Sequence, residues 1–168
     1  MAIEVEAPRI STKESPRQIL LEDFKETPEL PIRGGWGYVL EEAVIIDKPD
    51  PIVANGLPFR GVGLEYVFVE KRIYEELIIF KPVGRQHSGI RWNRLTQQTL
   101  HLGGRQYDHL TFEVTALRDA DWAEFKAEFE GQNGTGSQGF DRAEHFARRD
   151  AKTIRYVTDY WFDITSFF

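Results

Sequence analysis

The chain contains no cysteine among its 168 residues. That excludes disulfides, thiolate metal sites and a cysteine nucleophile, and it fits a reducing compartment. Long apolar runs are missing as well: no stretch reaches the roughly 18 apolar residues that a membrane-spanning helix requires. Met1 to Pro16 is polar and charged and has no apolar leader core, so the expected location is cytoplasmic, with no membrane partner. A third shortage is local. From Leu77 to Tyr107 there is no Asp or Glu, only Lys81, Arg85, Arg91, Arg94 and Arg105, together with His87 and His101. That segment carries a formal +5 in a chain whose net charge is -6, so the remainder carries -11. The acidic sum makes nucleic acid an unlikely main partner, because such binding rests on neutralising phosphates.

What is present suits a single domain over 1–168, with 1–14 as a flexible arm or an edge strand in which Ile3 and Val5 alternate with Glu4 and Glu6. Aromatics make up 13% of the residues, so the core is expected to rest on Phe, Tyr and Trp as much as on aliphatics. No internal repeat is visible.

The organising stretch runs from Ser88 to Glu130 and reads strand, Gly103-Gly104 turn, strand, helix. In the second strand Leu110, Phe112, Val114 and Ala116 fall on one face and His109, Thr111, Glu113 and Thr115 on the other, the period of a half-buried strand. Placing Leu100 and Leu102 on the Leu110 face requires an odd-numbered loop, so a three- or five-residue turn is expected. The following helix has Asp119 as its N-cap and a stripe of Trp122, Phe125 and Phe129, expected to cover the apolar face of the hairpin.

Elsewhere Ser15-Pro16 reads as a helix start, and Pro28 and Pro31 close that element. Over Gly61 to Lys81, helical geometry aligns Val62, Tyr66, Val69, Ile73, Leu77 and Phe80, with Glu65, Arg72 and Glu76 in a charged row beside them. The β-branched run at its end predicts a change to strand at 77–81. The last strand puts Tyr156, Tyr160, Phe162 and Ile164 on one face and Arg155, Val157, Asp159, Trp161 and Asp163 on the other. The expected fold is α+β: a mainly antiparallel sheet of about five strands (44–47, 77–81, 90–102, 107–117 and 153–166) with helices at 16–25, 64–76, 119–130 and 141–150 packed on one face.

No motif calls for a cofactor. Gly134-Thr135-Gly136-Ser137-Gln138-Gly139 matches a dinucleotide fingerprint as a string, but a helix rather than a strand precedes it, so it reads as an inter-helix loop. His101, His109 and Glu113 would share the outer face in one register. However, four strand residues separate His109 from Glu113 by roughly 13 Å at about 3.3 Å per residue, too far for ligands that converge on one metal. Asp159 and Asp163 are equally far apart, outside the range of about 5 to 9.5 Å that a glycosidase carboxylate pair needs. His87 beside Ser88 is adjacency, not a triad. Gly34 to Tyr38 reads as a pocket wall or as a turn anchored by its aromatics.

Two functional readings follow. The first is a non-catalytic interaction module that binds another protein, or a second copy of itself as a homodimer, through a basic, polar sheet face. The second is a small enzyme or binder with a His/Arg pocket for an anionic small molecule. The binding residues are expected among Arg85, His87, Arg91, Trp92, Arg94, His101, Arg105 and His109, with no catalytic or metal residue assigned. In the opposing reading Arg91 and Arg94 merely answer carboxylates of the neighbouring strand, such as Asp159 and Asp163.

Overall fold

A computed structural model describes residues 1–56, 58–131 and 140–168. The strands are β1 (Ile3–Glu4), β2 (Ile32–Gly34), β3 (Val44–Ile46), β4 (His87–Leu102), β5 (Arg105–Arg118) and β6 (Ile154–Asp163). The helices are α1 (Pro16–Asp23), α2 (Pro51–Ala54), α3 (Gly61–Tyr74), α4 (Asp119–Gly131) and α5 (Arg142–Lys152). All six strands form one sheet in the order β2-β3-β6-β5-β4, with β1 pairing β6. The pairs β2–β3, β4–β5 and β5–β6 are antiparallel, whereas β1 and β3 lie parallel to β6. The chain is therefore α+β with a mostly antiparallel sheet. The glycine string at 134–139 lies outside the described residues.

The front face of the sheet carries Leu110, Phe112, Val114 and Ala116 of β5 and Tyr156, Tyr160 and Phe162 of β6, all buried. Each buried Leu, Val or Phe there contributes about 1.5–3 kcal/mol. The sealing element is α3, not α4. Phe68 meets Phe162 edge-on at 5.7 Å, Tyr66 meets Phe112 at 6.3 Å, and Val69, Ile73 and Leu77 are fully buried. Ile19 and Leu20 of α1 join the same core. That helix starts where the sequence places it, with Ser15 Oγ accepting from Gln18 N and Pro16 in the first turn.

Four local expectations are corrected. Residues 77–81 are not a strand: a π turn, Glu75–Ile79, prolongs α3 and carries Leu77 into the core. Tertiary burial of Leu77 overrides the β propensity of Ile78 and Ile79. The hairpin turn has two residues, Gly103 and Gly104, at φ +58° and +77°, the left-handed pair that a tight hairpin needs. Leu100 consequently pairs with Tyr107 on the back face, and a bulge between Arg94 and Thr96 shifts the register so that Trp92 faces front opposite Val114. The α4 stripe packs on α5 rather than on the core: Phe125 and Phe129 surround His145, and Trp122 lies against Gly89 of β4. On α5 the buried residue is His145, while Phe146 is 40% exposed.

The arm at 1–14 is in part an edge strand, with Ile3 paired to Ile154 and Val5 N donating to Arg155 O. No helix among the described residues is long and apolar enough to cross a membrane.

Candidate functional site

Charge is distributed in two ways, and the first was not foreseen. On α3 the row Glu65, Arg72 and Glu76 points into the core: Glu65 and Arg72 are 0% exposed, whereas Val62, on the expected apolar stripe, is 55% exposed. Val69, Ile73 and Leu77 of the apolar stripe are buried beside the charged row, so the helix buries both rows. Arg72 is held there by Nη1 donating to Trp36 O at 3.1 Å and Nη2 donating to Thr158 Oγ1 at 2.8 Å. Its guanidinium lies 3.4 Å from the centre of the Tyr160 ring and 4.2 Å from that of Tyr38. Glu76 Oε2 stands 3.2 Å from Arg72 Nε and accepts from Tyr38 Oη at 2.5 Å. Burial pushes Glu76 above the usual carboxylate range, against the opposing pull of Arg72 and Tyr38. Burial, then the neighbouring Asp108, pushes Glu65 up to about 9, and Glu75 reaches about 9 through burial and Asp23. Glu65 and Glu75 are thus neutral at pH 7, which removes most of the cost of burying them.

The spacing Glu65, Arg72, Glu76 was visible in the sequence. What hid its direction was the tyrosine set that receives it, drawn from β6 and from the 34–38 turn, far away in the chain. That turn is the anchored-aromatic form: Trp36 and Tyr38 are each 7% exposed, and Gly37, at φ +81°, passes within 2.9 Å of Trp161 O where a Cβ would stand.

The residues singled out from the sequence do not converge. Arg85 is exposed in the turn after Pro82. His87 is buried, its Nδ1 3.3 Å from Leu77 O, and burial holds it below the usual histidine range. Trp92 faces front against Tyr74, and Arg94 donates to Tyr66 Oη and Gln97 Oε1 at 2.6 Å each. His101 sits beside the turn against Gln106. Arg105 pairs with Asp163 at 2.6 Å. His109 stacks on Trp161 at 4.0 Å and lies 2.9 Å from Asp159 Oδ1, an oxygen that also accepts from Thr111 Oγ1. His101 and His109 have different cross-strand partners, Gln106 and Gln98, and so are not opposed.

One consequence decides between the two readings of the basic segment. Asp159 is taken by His109 and Thr111, Asp163 by Arg105, and Arg155 by Glu4 and Glu113. Among the described residues Lys81, Arg85, Arg91 and Arg94 have no carboxylate within 4.0 Å. The internal pairing expected for Arg91 and Arg94 is absent.

Two of these cations, Arg91 and Arg94, lie on a strand with an open edge. β4 is the outermost strand, and its backbone from Arg91 to Leu102 has β5 as its pairing partner on one side, with no other described strand, turn or loop on the other. Alternate residues of such a strand aim their N–H and C=O groups outward. From Asn93 to Thr99 every side chain is exposed, on front and back alike. Behind the sheet, α4 and α5 frame two adjoining clefts of about 650 and 370 Å3 that share Arg91, Phe146 and Arg149.

No family model, no curated protein and no solved structure matches the chain.

Proposed function

We propose that this chain is a non-catalytic protein-interaction module that receives an extended acidic segment of a partner protein along the open edge of β4. The single observation that carries the reading is the coincidence of an unpaired strand edge with Arg91 and Arg94 on the same strand, which no carboxylate among the described residues answers. Main-chain hydrogen bonds would supply affinity, and the flanking arginines would set the sign and register of the partner. An exposed edge of this length is a hazard unless it is used or guarded. The bulges before Arg91 and after Arg94 break the upper part, whereas Thr96 to Leu102 runs in regular register.

An acidic partner is favoured over a second copy. A second copy would offer another β4 edge that carries no Asp or Glu to answer Arg91 and Arg94. The polar back face adjoining the edge, with His109 stacked on Trp161, extends the surface a partner would meet. The cysteine-free composition supports a reducing, cytoplasmic setting, and the net charge of -6 disfavours nucleic acid as the ligand.

The test is calorimetric titration with synthetic peptides of alternating Glu and Val, and of alternating Lys and Val, at low and high salt. Saturable binding of the acidic series that weakens with salt, and that Arg94→Glu lowers by about tenfold or more, is expected. Equal binding of both series, or a dimer in light scattering that Arg94→Glu strengthens, would overturn the reading.

A further inference from the structure

The two clefts beside α5 hold a second feature, away from the Thr96–Leu102 edge and sharing only Arg91 with the β4 reading. Arg91 of β4 and Arg149 of α5 line both clefts. Neither has a carboxylate within 4.0 Å among the described residues. The acids nearby are already engaged or stand off. Glu113 is bonded to Arg155 at 2.8 Å, and Asp150 meets the N-terminal ammonium. Glu130 lines the smaller cleft without reaching either arginine.

Arg149 is half-buried, and its guanidinium rests over the Trp122 ring at 5.2 Å. The same indole lies against Gly89, whose φ of +60° and lack of a Cβ let it approach; a Cβ there would stand 2.7 Å from it. Trp122 is therefore a fixed shelf that pre-sets the guanidinium. Burial, and then the charge of Arg91, pull Arg149 below the usual arginine range, the sign of two cations facing each other without an anion between them. Two guanidinium forks so placed match the oxygens of a carboxylate or a phosphate. Beside them the smaller cleft is walled by Phe125, Phe129 and Phe146, the last of which is 40% exposed. A wall of this kind takes a flat apolar body and leaves the charged end at the arginines.

We infer that Arg91 and Arg149 form the anion end of a binding site for a small aryl oxyanion, an aryl carboxylate or aryl phosphate, whose ring lies along Phe129 and Phe146. The site goes beyond the proposed docking of a partner segment and does not depend on it. No bond is made or broken there: it is a binding site.

The test is calorimetric titration of the full chain at low salt with naphthoate and naphthyl phosphate, against naphthylmethanol and inorganic phosphate as half-ligands. One molecule of at least one aryl oxyanion per chain is expected, with each half-ligand weaker by about tenfold or more. Arg149→Gln and Arg91→Gln are expected to weaken it by a similar factor while far-ultraviolet circular dichroism and Tm stay unchanged. Arg149→Lys keeps the charge but loses the fork, and is expected to recover only part of the loss. The inference is overturned if neither aryl oxyanion saturates, if naphthylmethanol binds as tightly, or if both glutamine variants bind like the wild type. Because the probes are not peptides and the variants spare Arg94, failure here is distinguishable from failure of the β4 reading.

Discussion

Two arginines on the same side of one sheet show how this chain uses charge. Arg72, on α3, is fully buried and bonded to a backbone carbonyl, a threonine and a glutamate, with two tyrosine rings stacked on it. Arg94, on β4, is exposed and has only a tyrosine hydroxyl and a glutamine for company. The first charge is satisfied inside the molecule and can do nothing else. The second is left for something outside it. The same contrast separates the carboxyls: Glu65 and Glu75 are buried and pushed up to about 9, while Asp159 and Asp163 are consumed by His109 and Arg105 on the back face.

The most forceful way to break the comparison is to remove the buried cation. Arg72→Met leaves Glu76, Trp36 O and Thr158 Oγ1 without their partner and is expected to destabilise the fold by about 3–5 kcal/mol, read by urea or thermal unfolding. A loss below about 1 kcal/mol would show that the layer is not structural. Next in size is Gly89→Ala, which places a Cβ in the left-handed region and against the Trp122 ring. It is expected to cost about 1–2 kcal/mol from the backbone alone. The same change should move Trp122 and so weaken aryl oxyanion binding.

A third prediction concerns pH. Glu65 and Glu75 hold protons in the folded chain up to about 9, whereas the unfolded chain releases them near 4.5. Their stabilisation is therefore complete below about 4.5 and declines as pH rises through about 9, because the native state binds more protons over that interval. His87, held low by burial, acts in the opposite sense, but only below about 6.5 where the unfolded imidazole charges. Between those limits Tm should fall steadily with pH, and Glu65→Gln should flatten part of the slope. A Tm that rises from neutral to mildly alkaline pH would contradict the assignment. Smallest of all is the effect of Arg94→Gln on folding, expected within about 0.5 kcal/mol, since an exposed charge without a partner carries little of the fold.

Much of the architecture was legible from local pattern. Alternation along Tyr107 to Leu117 located β5 and its inner face, Ser15-Pro16 located the start of α1, and the even-numbered aromatics of β6 were assigned to the core correctly. What failed did so for reasons of distance along the chain. A two-residue turn contradicted the expected odd loop because the bulge after Arg94 brings Trp92 and Arg94, rather than Leu100, to the front face, which no hydrophobic count at Leu100 and Leu102 reveals. The stripe of α4 was real, but α5 and Gly89 received it rather than the hairpin core. The row on α3 was seen as a charged row beside the apolar stripe, but its place in the core was not, since nothing near Arg72 in sequence announces Tyr38, Thr158 and Tyr160.

For the sites, the basic segment was visible as a gap in acidic residues. Its meaning depended on which carboxylates lay opposite, and those were settled by strand register. Of the eight residues expected to bind, Arg91 and Arg94 keep that role in the proposals, whereas His87 is buried against α3 and Arg105 is neutralised by Asp163. Arg149, Trp122 and Phe146 were not singled out for binding, because only the α4–α5 pairing brings them to Arg91.

The most direct measurement is amide hydrogen exchange along β4, with and without the alternating Glu–Val peptide. Alternate amides from Thr96 to Leu102 should exchange rapidly in the isolated chain and slow by about tenfold or more when the peptide is added, while β5 is already protected. Protection of those amides in the isolated chain at low concentration, or peptide-induced protection confined to α4 and α5, would contradict the claim that β4 is an edge left open for an acidic partner.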